Sequence, residues 1–134
     1  MASFLHAVEV KRDGDGCFAA IDPDWFIWGP FGGYLAALAL RAMASYSNLL
    51  RPAAFSCQFL KAAAAGPVSF IVKRRKAGRR AELLRVCAIQ AGEPFLDAQC
   101  WFVATGLTGL AHESASMPPV ETPFQLPPWD DFRQ

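Results

Sequence analysis

Gly33-Tyr34-Leu35-Ala36-Ala37-Leu38-Ala39-Leu40-Arg41-Ala42-Met43-Ala44-Ser45 is the stretch on which the fold turns. Alanine, leucine and methionine are strong helix formers, so the run reads as one helix over about 33–45. Arg41 is its only charge, and every side is otherwise apolar. A helix of that kind belongs inside a core. Its many alanines leave room for a sheet to approach closely.

Upstream, residues 4–11 read as a strand, because Val8 and Val10 alternate with Glu9 and Lys11. Asp13-Gly14-Asp15-Gly16 reads as a turn, since glycine and aspartate tolerate left-handed backbone. Residues 17–21 return as a second strand and close a hairpin. Asp22 to Phe31 is an irregular loop rich in aromatics: Trp25, Phe26, Trp28 and Phe31. Downstream of the helix, strands are expected over 53–62, 67–76, 80–90 and 95–104, with turns at Gly78 and Gly92-Glu93-Pro94. These connections are too short for crossover helices, so the neighbours are antiparallel. Residues 106–134 hold five of the ten prolines and two acidic clusters. They read as a proline-rich C-terminal strap or linker-like tail, tacked down by Phe124, Trp129 and Phe132.

The expected fold class is therefore α+β. A curved antiparallel sheet wraps around one long central helix, which is the hotdog arrangement, with residues 1–105 as a single hotdog domain. A sheet on one helix leaves edge strands, so such a domain is expected to pair with another.

The chain has 134 residues, 53% of them apolar and 19% charged, which suits one domain with a real core and excludes disorder. The net charge of +1 excludes a generally basic nucleic-acid binder. It conceals a pattern: residues 1–30 carry −3, residues 31–91 carry +9 and residues 92–134 carry −5. The middle of the chain can therefore hold an anion. Cys17, Cys57, Cys87 and Cys100 have apolar neighbours and no C-x-x-C spacing, and they read as small buried thiols. With only His6 and His112 besides, no metal site is expected. Glu9, Lys11, Arg12, Asp13 and Asp15 break up any signal-peptide core. The uncharged stretch from Trp25 to Leu40 is 16 residues, short for a membrane span. A soluble, cytoplasmic protein is expected, with neither nucleic acid nor membrane as a partner.

Several short strings carry a more specific likeness. They are Trp28-Gly29-Pro30-Phe31-Gly32-Gly33-Tyr34, Arg51-Pro52, Gln58-Phe59-Leu60-Lys61, Gly78-Arg79-Arg80 and Ala88-Ile89-Gln90-Ala91-Gly92. In that order around one helix, over roughly residues 15–105, the sequence resembles the N-terminal hotdog of the type II acyl-CoA thioesterase family. The resemblance implies hydrolysis of an acyl-CoA to free acid and CoA, with coenzyme A entering as part of the substrate and no separate cofactor. Members of that family usually carry two hotdogs in one chain, and Met117-Pro118-Pro119 looks like the start of the linker between them. The resemblance thus implies a homodimer or association with a second hotdog subunit. The family's catalytic Asp, Thr and Gln lie mainly in the second hotdog. Here the helix has no carboxylate, Pro52 stands nearest the threonine position, and Gln99 falls within one residue of the glutamine position.

Thioester hydrolysis needs a donor for the oxyanion and a group that orients water. A helix N-terminus supplies the first, so the backbone N–H groups of Gly33 and Tyr34 are the candidate oxyanion site. Gly32-Gly33 permits close approach of a substrate, or else simply forms a tight turn into the helix. Gln99 is the candidate for orienting water, or a polar residue on a half-exposed strand. Lys73-Arg74-Arg75-Lys76-x-x-Arg79-Arg80 holds six of the thirteen basic groups. Arg79 and Arg80 are the candidate contacts for the CoA phosphates, although strand alternation sends Arg74 and Arg75 to opposite faces. Asp24, Trp25, Trp28, Phe31 and Gly32 are the candidate substrate pocket. Absence of the catalytic acid leaves a second reading open, a non-catalytic acyl-CoA-binding or structural hotdog subunit.

Overall fold

The structure, a computed structural model, describes residues 3–14, 16–122 and 124–126. Asp15, Trp129 and Phe132, used above for the turn and the tail, lie outside them.

The long helix, α2, spans Gly32–Ala44 and follows a short first helix, α1, Phe4–Ala7. Six strands follow one another as β1 Lys11–Asp13, β2 Gly16–Ile21, β3 Arg51–Phe59, β4 Gly66–Lys76, β5 Ala81–Gln90 and β6 Glu93–Val103. They form one antiparallel sheet in the order β1-β2-β4-β5-β6-β3. Alternation decides its faces. Val68 and Phe70, Leu84, Val86 and Ala88, and Leu96, Ala98, Cys100 and Phe102 point inward and are buried. They close on Leu35, Leu38, Ala39, Ala42 and Met43 of α2, which gives the expected hotdog packing. Ala39 and Ala42 are fully buried, as close approach of a sheet requires.

Three local expectations change. Residues 4–11 are not a strand. The N–H groups of His6 and Ala7 both donate to the Ser3 carbonyl and close a helical turn. That turn tucks Ala7 and Val8 into the core and sets Phe4 edge-on against Trp25 at 5.0 Å. Nor is α2 buried all round. Gly33, Arg41 and Ala44 are exposed, and Ala36, Ala37 and Leu40 are half-buried on the same side. One sheet covers only one side of a cylinder, so an apolar stripe stays open. Finally, β3 begins at Arg51 rather than 53, with a bulge between Pro52 and Ala54. Beyond β6, residues 105–122 are exposed and form no helix or strand.

The two tight hairpins use left-handed backbone. Gly14 has φ +57° in the β1–β2 turn. The β5–β6 turn places Ala91 at φ +51° and Gly92 at φ +81°. Left-handed backbone at both central residues is the pairing for which Asn-Gly is preferred. Alanine there costs about 1 kcal/mol or more. Ala91→Asn is therefore expected to raise thermal stability by about 1 kcal/mol, a shift of a few degrees in a melting curve. An unchanged or lower melting temperature would contradict this account of the turn.

Candidate functional site

Register fixes what lies at each end of α2. Arg51, Val103 and Ala81 share one row across β3, β6 and β5, and Phe59, Leu96 and Ala88 share another. The first row lies at the C-terminal end of the helix. There Arg12 donates to the Ser45 carbonyl at 2.9 Å, and buried Glu82 holds the segment after the helix. The second row lies at the helix N-terminus, where a Cβ on Gly32 would stand 3.2 Å from the Phe59 ring. A methyl group at residue 32 would crowd that ring, so glycine lets Phe59 pack close.

No side chain caps α2, and the first N–H to reach a carbonyl is that of Leu35, to Phe31 at 3.1 Å. The preceding N–H groups, at Gly32, Gly33 and Tyr34, form the positive end of the helix dipole. A Cβ on Gly33 would meet no atom within 4 Å, so space is open directly beside them. An apolar cleft of about 450 Å³ adjoins this end, walled by Trp28, Gly32, Leu35, Phe59, Leu60 and Lys61. Trp28 sits at the tip of a small loop closed by the Phe26–Pro30 bridge and is 97% exposed. Lys61 forms an ion pair with Glu93 across the rim, and the Lys61 ammonium holds the Glu93 carboxyl below its ordinary range.

The Tyr34 side chain serves the fold. Its hydroxyl accepts from the Asp22 N–H at 3.0 Å and donates to the Ala7 carbonyl at 3.1 Å. Burial pushes this phenol above its ordinary pKa. Trp25 stacks on the Tyr34 ring at 5.7 Å and plugs this end of the core, and its indole Nε1 is buried without a hydrogen-bond partner among the described residues. Phe31 donates its N–H to the Trp25 carbonyl, and Asp24 lies exposed in the short turn Pro23–Trp25. Of the residues expected to form the substrate pocket, Trp28 and Gly32 line the cleft, whereas Asp24, Trp25 and Phe31 do not.

Gln99 is exposed on the outer face of the sheet, between Arg85 on β5 and Ser56 on β3. Its neighbours Ala98 and Cys100 face the helix, so alternation turns Gln99 away from Gly33. Asp97 shares that outer face and is held by Arg85 in two hydrogen bonds of 2.9 Å. Arg79 and Arg80 lie in the β4–β5 turn, at the far end of the helix from Gly33. A helix of 13 residues separates the two groups by about 20 Å. One chain therefore brings Trp28 and Gly32 into one cleft, with Gly33 and Tyr34 following Gly32 in the helix, and leaves Gln99, Arg79 and Arg80 elsewhere. Phe59, Leu60 and Lys61 were not anticipated in the cleft. Inward alternation of Cys57 and Phe59 was the available signal.

A helix N-terminus opening on an apolar cleft, on a hotdog scaffold, is suited to an apolar ligand with a polarised carbonyl. Residues 21–103 match the family described as acyl-CoA thioesterase N-terminal domain, and the chain belongs to that family. A search of curated proteins found no match. Among solved structures, a conserved protein of unknown function with the hotdog fold from Alicyclobacillus acidocaldarius is 26% identical, with a TM-score of 0.84 over 95% of this chain and 48% of its own. An acyl-CoA thioesterase II from Mycobacterium marinum is 20% identical, with a TM-score of 0.76 over 93% of this chain and 47% of its own. A Bacillus halodurans protein solved with CoA is 15% identical, with a TM-score of 0.65 over 77% of this chain and 76% of its own. This chain thus spans less than half of the first two. No helix among the described residues is long and apolar enough to cross a membrane.

Proposed function

We propose that the protein hydrolyses acyl-CoA thioesters, with the acyl group in the cleft beside Trp28 and Phe59 and the thioester carbonyl against the N-terminus of α2. The observation that carries this is the uncapped run of N–H groups at Gly32–Tyr34, which begins at Gly32 in the wall of that cleft. In the reaction, water adds to the carbonyl carbon and the oxygen becomes an oxyanion. The C–S bond then breaks, leaving the acid, while the CoA thiolate takes up the proton that water lost. Preorganised N–H donors stabilise the oxyanion, and a dry apolar wall strengthens them. No cofactor beyond the CoA of the substrate is needed for these steps. The free β3 edge supports association with a second hotdog, in a homodimer or with another subunit. Four free cysteines suit a reducing compartment such as the cytoplasm. Residues 1–105 would be the working hotdog and 106–134 a strap or linker.

A screen of acyl-CoAs of varied chain length, read with a thiol reagent, tests the reading. Release of CoA above the uncatalysed rate is expected. No release by folded protein, alone or with a hotdog partner, would end the enzymatic claim. One observation favours a binding role instead: the cleft lining holds neither a carboxylate nor a histidine. On that alternative, titration calorimetry gives saturable CoA binding with no product.

A further inference from the structure

The basic run from Lys73 to Arg80 is divided by the fold, and part of it serves neither the core nor the cleft. Arg74 turns inward to the Tyr46 carbonyl and toward Glu82. Lys76 lies over the Trp101 ring at 5.6 Å. Arg79 and Arg80 occupy the β4–β5 turn. Lys73 and Arg75 remain. With Arg85 they rim a depression of about 340 Å³, which Ile71, Cys87 and Asp97 complete. That volume lies at the lower end of the range for small-molecule sites. Phe70, Val86 and Ala98, the alternate neighbours on these strands, are buried toward α2. The depression therefore opens on the other face of the sheet, separate from the cleft.

Register makes this cluster costly as it stands. Lys73 pairs directly with Arg85 across β4 and β5. Like charges directly opposite one another destabilise a sheet. Arg85 is already engaged on its β6 side, where its Nε and Nη2 donate to the two Asp97 oxygens at 2.9 Å each. Lys73 and Arg75 form no ion pair among the described residues. Three cations against one carboxylate leave two positive charges uncompensated around the depression. Cys87 supplies no anion. Burial, and then Asp97, push its thiol above the ordinary range, against weaker lowering by Arg85 and Lys73. The floor is thus an uncharged thiol beside the Ile71 side chain, and Lys73 and Arg75 bring donors alone.

We propose that this depression is a second binding site, which holds a phosphate group, free or on a small organic ester, between Lys73, Arg75 and Arg85. A phosphate dianion matches the two uncompensated charges. Its oxygens accept from guanidinium forks and from an ammonium. Asp97 keeps phosphate oxygens to the β4 side, and it faces the hydroxyl donors of an ester. Ile71 and Cys87 give the organic part an apolar floor. A bound phosphate offsets the repulsion between Lys73 and Arg85. None of this depends on the acyl-CoA reading of the cleft.

Cys87 is the reporter, and Cys57, half-buried on the helix-facing side, is the control. The folded chain is alkylated with iodoacetamide, and the labelling rate of each cysteine is followed by peptide mass spectrometry. Inorganic phosphate and glycerol 3-phosphate are added at an ionic strength matched with sodium chloride. Both should slow labelling of Cys87 saturably and leave Cys57 unchanged. Tighter protection by glycerol 3-phosphate assigns the site to esters, and equal protection assigns it to phosphate itself. In the double variant Lys73→Gln, Arg75→Gln, the concentration needed for protection should rise at least about tenfold. Both positions are exposed, so the variant should fold, which circular dichroism checks. Unprotected Cys87, equal protection by acetate, or undiminished protection in the folded double variant would overturn the proposal.

Discussion

Gly33→Phe is expected to abolish the proposed acyl-CoA hydrolysis, with a fall in kcat of at least about a hundredfold, while the protein stays fully folded. The fold tolerates the change because a Cβ at Gly33 meets nothing within 4 Å, and residue 33 lies in the first turn of α2 with no left-handed backbone to preserve. Replacing glycine in a helix also relieves about 0.5–1 kcal/mol of backbone entropy cost, so the melting temperature should hold or rise slightly. The chemistry suffers because the ring occupies the space beside the N–H groups that would receive the oxyanion. Turnover numbers and melting curves, measured together, check both halves. Full activity in Gly33→Phe would exclude this helix N-terminus as the reacting site. Gly32→Ala is a poorer probe, because its methyl group would press on Phe59 at 3.2 Å.

The second large effect is on stability. Glu82 is 3% exposed at the start of β5. Its Oε2 lies 3.0 Å from the Ser47 hydroxyl and accepts from the Asn48 N–H at 3.2 Å, its Oε1 accepts from Asn48 Nδ2 at 3.3 Å, and Arg74 stands 3.9 Å away. This one carboxylate fastens the turn that carries the chain from the end of α2 to β3. Glu82→Ala leaves the Asn48 donors without their acceptor, removes the charge facing Arg74 and opens a cavity. A loss of about 2–4 kcal/mol is expected, or roughly 10 °C in melting temperature. Glu82→Gln keeps the volume and an oxygen acceptor and should lose only about 1 kcal/mol. Equal melting temperatures for wild type and Glu82→Ala would show that the turn is held by packing alone.

The thiols illustrate how burial governs reactivity. Cys100 is fully buried between the sheet and α2, and desolvation pushes its pKa up to about 11, against a weaker lowering by a hydrogen bond from the backbone at Ala53. The sequence already pointed to buried thiols, since Val86, Ile89 and Trp101 flank Cys87 and Cys100. The structure grades them. Cys17 and Cys100 are buried, whereas Cys57 and Cys87 are half-buried on opposite faces of the sheet.

Much of the architecture was legible because it is written in local chemistry. The Ala-Leu run makes a helix wherever it is placed, Gly14 and Gly92 turn the chain, and alternation marks β4, β5 and β6. The first segment was misread for an equally physical reason. Val8 and Val10 alternate as a strand would, but burial of Ala7 and Val8 and the Tyr34 hydroxyl on the Ala7 carbonyl favour a helical turn there. The site divides along the same line. Uncapped N–H groups at the Gly-Gly pair and Tyr34 belong to the sequence, because they follow from where a helix begins. Which groups share space with them does not. Lys73 to Arg80 look like one patch in the chain, yet alternation sends Arg74 to the Tyr46 carbonyl on the inner face and Lys73 and Arg75 to the outer depression with Arg85. Gln99 and Gly33 are parted by strand parity, and Arg79 and Gly33 by the length of α2. The sequence by itself determined the helix, the strands and the open helix N-terminus, since these depend on neighbours a few residues apart. Only the tertiary structure decided that Phe59 and Lys61 wall the cleft and that the basic turn lies at the opposite end, because register between distant strands sets both.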